Sequence, residues 1–217
     1  MNKLKKKFRL VTPPLLWSYG SKVKTRLSKR SINDIFDGEG IIFKEQVPLS
    51  KCYLEYGSGD STEWVIKHNT ECIVISVESD PKWSNRVACR IDSKQLKMFY
   101  VDVGVVGNWG RPIGYEKSEM FMEYVKKGWD AGYDPDTVLI DGRFRVACFL
   151  YSTLQMKPGG VIIFDDYVGR THYQVVEKFL KPKRLNGRQA VFIVPEINPE
   201  TKELIQLELE RFIMVMD

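Results

Sequence analysis

Five short stretches of this chain combine acids and glycines in ways that suit ligand chemistry. The first is Glu55-Tyr56-Gly57-Ser58-Gly59, which runs on through Asp60-Ser61 to Thr62. The others are Glu78-Ser79-Asp80, Asp102-Val103-Gly104, Asp141-Gly142-Arg143 and Asp165-Asp166-Tyr167. Gly57 and Gly59 carry no Cβ, so the backbone there can turn sharply and pass close under a ligand. The helix expected to follow offers unpaired N–H groups in its first turn. Glu78 lies at the distance from Gly57 at which an acid accepts hydrogen bonds from ribose hydroxyls. Acids also cap helices that follow strands, so each one taken singly has a structural explanation. Acids in all five places are harder to explain that way.

These stretches sit where a particular architecture would put them. Residues 51–56, 71–77, 96–103, 137–140 and 161–164 read as strands, and 71–77 is a continuous apolar run of the kind buried on both faces. Residues 61–68, 81–89, 115–127, 144–156 and 171–180 read as helices, and 31–36 as a short helix capped by Ser31. Residues 190–194 and 204–216 read as two final strands. Strands alternating with helices imply an open, mostly parallel α/β sheet covered on both faces. Such sheets bind ligands beyond the carboxyl ends of their strands, and every acid stretch falls at such an end.

Composition narrows the setting. The 217 residues carry a net charge of +5. Ten basic residues and no acids lie in residues 1–30, so the remaining 23 basic residues face all 28 acids and the body is net −5. We therefore read 1–30 as a basic N-terminal arm and 31–217 as the catalytic domain. The arm mixes lysine with Phe8, Trp17 and leucines, a composition that fits an anionic membrane surface or packing on a sister subunit. Pro13 and Pro14 argue against one long amphipathic helix. No apolar run is long enough to span a bilayer. The four cysteines are scattered without a C-x-x-C pair, which argues against zinc and suits reduced thiols in the cytoplasm.

The order Glu55-Tyr56-Gly57-Ser58-Gly59, Glu78, Asp141 and Lys157-Pro158-Gly159-Gly160 resembles the class I S-adenosylmethionine (SAM)-dependent methyltransferases. The resemblance covers about residues 50–217. It implies a Rossmann-like, seven-stranded, mostly parallel sheet with helices on both faces and an antiparallel last strand. It implies SAM over the glycine turn, bound by Glu55, Gly57, Ser58, Gly59, Thr62 and Glu78, with the methionine moiety near Glu55 and the ribose on Glu78. Asp102 and Trp109 follow the third strand, where the adenine lies in this fold. A nicotinamide dinucleotide suits the turn less well. Thr62 stands where the third fingerprint glycine would be, and Glu55 and Asp60 would repel a pyrophosphate.

A narrower resemblance lies in 138–142 and 161–167, which look like the metal-dependent O-methyltransferases of the catechol type and of the macrolide- and aminocoumarin-sugar type. It implies Mg²⁺ held by Asp141, Asp165 and Asp166, an acceptor hydroxyl on a small molecule or sugar (glycan) unit, and a homo-oligomer. Sugar-modifying relatives often carry a further acid two residues after the first ligand. Here that place holds Arg143, which cannot accept a proton. Arg143 can instead neutralise Asp141 or Asp165 and make a metal unnecessary, or bind an anionic substrate. His172 is then the candidate general base. The segment 102–112, with three glycines and Trp109, is a candidate lid. The alternative to an enzyme is a non-catalytic SAM- or nucleotide-binding module delivered by its basic arm. No motif for amino methylation of nucleic acid is present.

Overall fold

A computed structural model describes residues 35–36 and 40–217. The basic arm, and the capped helix expected over 31–36 apart from its last two residues, lie outside the described residues. Ile35 and Phe36 are not helical. The elements run in the order α1 (Ile41–Gln46), β1 (Cys52–Tyr56), α2 (Asp60–His68), β2 (Ile73–Glu78), α3 (Pro81–Arg90), β3 (Leu96–Tyr100), α4 (Phe121–Lys126), β4 (Thr137–Ile140), α5 (Arg145–Gln155), β5 (Val161–Phe164), a 3₁₀ helix (Thr171–Lys178), β6 (Arg184–Asn186), β7 (Gln189–Ile193) and α6 (Pro199–Phe212).

The strands form one seven-stranded sheet in the order β3-β2-β1-β4-β5-β7-β6. β1 to β5 are parallel to one another, and β7 runs antiparallel to both β5 and β6. The order reverses between β1 and β4, and the crevice of the fold lies at that switch. Alternate residues of the central strands feed two cores. Leu54, Tyr56, Val138, Ile140, Ile162 and Phe164 share one core with Phe149 and Leu150 of α5. Tyr53, Val74, Leu139 and Ile163 share the other with Phe43 of α1 and Val65 of α2. This is why strand sequences such as Thr137-Val138-Leu139-Ile140 lack polar alternation: both faces are covered.

Two expectations near the C-terminus need correcting. Residues 204–216 are not a strand. They lie mostly in α6, which starts at Pro199 and is capped by Asn198, whose side-chain oxygen accepts from the Thr201 amide at 2.8 Å. The residues that reach the core are Ile205 and Leu209, one helical turn apart. The seventh strand is β6, three residues long, polar and at the sheet edge. Its hairpin with β7 turns through Gly187 and Arg188, with Gly187 at φ 55°. The Asn186-Gly187 pair was the signal for it. Two further elements differ in detail. β3 stops at Tyr100, and 171–178 winds as 3₁₀ rather than α helix.

Phe149 anchors α5 to the sheet, with its ring centroid 4.8 Å from that of Phe192 and 6.0 Å from that of Phe164. Phe149→Ala is expected to cost about 3–5 kcal/mol, read from guanidinium unfolding midpoints. A loss well under 1 kcal/mol would show that α5 does not depend on this packing.

Candidate functional site

The glycine turn between β1 and α2 is built around Glu55. Its carboxylate is fully buried and accepts from Tyr53 Oη at 3.0 Å, Ser61 Oγ at 2.8 Å, Ser76 Oγ at 2.7 Å and the hydroxyl of Thr62. Burial pushes its pKa up, and these four hydroxyls only partly offset the rise. Thr62 Oγ1 in turn accepts from the Gly59 amide at 2.9 Å. That explains the residue found in place of a third glycine: Thr62 ties the buried acid to the turn. Gly57 sits at φ 89°, and a Cβ there would lie 2.9 Å from backbone atoms of Gly142. Gly59 is buried, and a Cβ there would touch the Trp83 ring at 4.0 Å, an ordinary contact distance. Trp83 Nε1 donates to Ser58 O at 2.6 Å and fixes the turn from α3.

Glu78 closes β2 beside this turn. One of its oxygens accepts from the Ser58 amide and Oγ, both at 3.0 Å. The other accepts from the amides of Ser79 at 2.7 Å and Asp80 at 2.9 Å. Burial raises its pKa against these donors. The loop after β3 folds back over this tip. Ser79 Oγ donates to Gly110 O at 2.9 Å, and a Cβ on Gly110 would lie 3.2 Å from a Glu78 oxygen. Trp109, at φ 63° and 76% exposed, caps that loop. Asp102 accepts from the Gly104 amide at 3.1 Å and pairs with Lys117, which lowers its pKa.

At the tips of β4 and β5, Asp141, Asp165 and Asp166 do converge. Each offers a carboxylate oxygen within 4.8 Å of the others. Three arginines stand among them. Arg145 Nη2 lies 3.0 Å from Asp141 Oδ1, and the same buried guanidinium donates to Gly142 O at 3.0 Å and Asp165 O at 2.7 Å. Arg188 Nη2 lies 2.5 Å from Asp165 and 2.9 Å from Asp166. Arg170 Nη2 lies 2.5 Å from Asp166. Gln189 Nε2 completes Asp165 at 2.9 Å. Burial pushes Asp141 up to about 7 although 31% of its side chain meets solvent; Arg145 opposes the rise and Asp165 adds to it. Three guanidiniums already balance these three carboxylates. A divalent ion would have to displace arginines that already balance the charge. The neutralising role expected of Arg143 is filled by these three other arginines.

Comparison with known proteins bears on this geometry. No protein-family model matches the chain, and no curated protein sequence does. Among solved structures, a methyltransferase-like protein from Silicibacter pomeroyi is 30% identical with a TM-score of 0.69, covering 83% of this chain and 95% of that one. The chain belongs to the class I SAM-dependent methyltransferase superfamily. An O-methyltransferase from Bacillus cereus, in complex with SAH, shares the fold at 15% identity and a TM-score of 0.54, covering 86% of this chain and 93% of that one.

In this methyltransferase the turn, Glu78 and the Asp-Arg cluster border one crevice at the sheet's carboxyl edge. His172 is not drawn into it. Its imidazole is exposed and lies 4.2 Å from the Tyr173 ring at a tilt of 55°, with no polar partner among the described residues. Arg145, Arg170, Arg188 and Gln189 were missed from the sequence, although Asp141/Arg145 and Asp166/Arg170 are both spaced four apart, a separation at which side chains on one helical turn meet. Three residues other than glycine have positive φ among the described residues: Trp109, Phe144 and Asp166. They fall in the loops after β3, β4 and β5, where the crevice is. Arg145→Met is expected to cost about 3–5 kcal/mol, because it leaves the Asp141 carboxylate and the carbonyls of Asp141, Gly142 and Asp165 without their donor. Arg145→Lys should recover only part of this, since an ammonium cannot reproduce the fork. Urea unfolding of the two variants checks both statements, and equal stability of Arg145→Met and wild type would refute them.

Proposed function

We propose that this methyltransferase transfers the methyl group of SAM to a hydroxyl oxygen of a small-molecule or glycan acceptor. The observation that carries this reading is the charge-balanced Asp141-Asp165-Asp166 cluster beside the glycine turn. It puts hydrogen-bond acceptors for an acceptor's hydroxyls next to the place where a cofactor would lie. SAM, when bound, supplies an electrophilic methyl on a sulfonium, which needs only an oxygen in line with it. Positioning therefore provides much of the rate.

The residues divide the work as follows. The glycine turn, bent at Gly57, is the stretch of backbone that the cofactor approaches. Glu78 receives the ribose hydroxyls, with Ser58 Oγ the donor most easily turned aside, because a hydroxyl rotates freely while backbone amides do not. Asp102 and the Trp109 loop border the adenine side. Glu55, sealed by four hydroxyls, acts through the turn rather than by touching the ligand. Asp141 is better placed than His172 to take the acceptor's proton: it sits in the cluster, and a carboxyl raised towards neutrality suits that task. Arg145 holds Asp141 in orientation.

Calorimetric titration with SAM tests the first step. Glu78→Ala should weaken binding about tenfold or more, as expected for lost hydrogen bonds to a charged group. Unchanged affinity in Glu78→Ala would refute the assignment. A second reading, Mg²⁺ assistance, is favoured by the convergence of the three carboxylates within 4.8 Å. Formation of S-adenosylhomocysteine from an acceptor panel, with EDTA or with Mg²⁺, separates the two. Activity that survives EDTA supports charge balance by arginine, and activity lost to EDTA and restored by Mg²⁺ supports the metal.

A further inference from the structure

Four arginines gather at the tips of β4 and β5, and only three have carboxylate partners. The fourth is Arg143. Its Nε is buried without a hydrogen-bond partner, and among the described residues its guanidinium makes no hydrogen bond or ion pair. Burial and the neighbouring Arg145 both lower its pKa. A guanidinium whose Nε is buried without an acceptor, and which has no carboxylate partner, is an arrangement that folded chains ordinarily avoid. The other charged group facing it is Asp217. That carboxylate turns to the start of α5, where Oδ1 accepts from the Arg145 amide at 3.0 Å, while its second oxygen is buried without a hydrogen-bond partner. Tyr124 and Tyr173 supply the remaining polar neighbours.

The backbone of Arg143, just beyond the tip of β4, is fixed from both sides. Its amide donates to Tyr124 Oη at 3.3 Å. The preceding residue, Gly142, backs onto the glycine turn so closely that a Cβ on it would lie 2.7 Å from the Gly57 amide. Two residues earlier, Asp141 enters the carboxylate cluster. Arg143 thus springs from the joint between the cofactor turn and the acceptor side. It is not used to balance either of them.

We infer that Arg143 is the recognition residue for an oxyanion, a carboxylate or a phosphate, carried by the acceptor beside the hydroxyl that is methylated. This rests on the methyl-transfer reading and narrows its substrate class to anionic acceptors. The planar guanidinium can grip such a group with two parallel hydrogen bonds, which fixes the acceptor's orientation as well as its charge. A neutral acceptor of the same shape would leave the cation unpaired and would be rejected.

The test uses the full chain and simple anions. Thermal unfolding of wild type, Arg143→Met and Arg143→Lys is followed in sodium acetate, sodium phosphate and sodium chloride at matched ionic strength, with SAM affinity measured alongside by calorimetry. Acetate or phosphate should raise the wild-type Tm above its value in chloride, and the more effective anion identifies the group recognised. Arg143→Met should be more stable than wild type in chloride, having shed an unpaired charge. Its apparent affinity for the effective anion should be about tenfold weaker or worse. Arg143→Lys should retain part of the response. The inference is overturned if Arg143→Met responds to the anions as wild type does, or if neither anion shifts the wild type. Failure of wild type to bind SAM would instead strike at the methyl-transfer reading, independently of the anion response.

Discussion

Two glycines that meet back to back hold this site together. A Cβ on Gly57 would lie 2.9 Å from backbone atoms of Gly142, and one on Gly142 would lie 2.3 Å from Tyr124 Oη. The tips of β1 and β4 can therefore come together only because neither residue has a side chain. This contact falls at the switch in strand order, where the helices after β1 and β4 leave for opposite faces of the sheet. On one side it sets the cofactor turn, with Glu55 and Thr62 beneath it. On the other it sets Asp141, and with it the arginine-balanced cluster. A side chain at either glycine would push the two halves of the crevice apart.

The arrangement is also strained in one place and relaxed elsewhere. Phe144 is bulky and sits at φ 53°, a conformation that costs an ordinary residue of the order of 1–3 kcal/mol. It persists because its ring is packed 4.6 Å from Phe121 and 5.5 Å from Tyr124. The turn it makes lets α5 begin directly below the β4 tip, so that Arg145 can reach back to Gly142, Asp141 and Asp165 at once. Asp166, at φ 60°, does the equivalent after β5 and lets two adjacent aspartates share Arg188. Strain at the tips is thus tied to the placement of charge.

Much of this was legible in the sequence. Central strands buried on both faces announce themselves as apolar runs, and glycine and acid at their ends mark the ligand edge. Edge and terminal elements were harder. Arg184–Asn186 is too short and polar to show a strand period, and the start of α6 is marked only by Asn198-Pro199, a cap that the strand reading of 204–216 passes over. The partners of the acids were the least legible part. Arg188 reaches Asp165 from a hairpin turn more than 20 residues on, and the hydroxyls on Glu55 come from β1, β2 and α2. Contacts of that kind depend on the completed sheet, which no local pattern encodes.

Five of the acids at strand tips, Glu55, Glu78, Asp141, Asp165 and Asp166, look alike in sequence, yet their donors divide them into three kinds. Glu55 is held by neutral hydroxyls alone, in full burial, and its pKa is raised. Such a group has no charged partner to lose, and it serves to order a loop. Glu78 is held by three backbone amides and one hydroxyl, the geometry of a carboxylate pre-set to accept hydrogen bonds from a ligand. Asp141, Asp165 and Asp166 are held by guanidiniums, which bring charge as well as hydrogen bonds. Neutral donors leave the desolvation of a buried carboxylate largely uncompensated, whereas arginine compensates it at the cost of its own. The division of labour at this edge therefore follows the type of donor each carboxylate meets. It explains how one repeated sequence feature can order a turn, fix a carboxylate among backbone amides and build a charge-balanced cluster at one edge of the sheet.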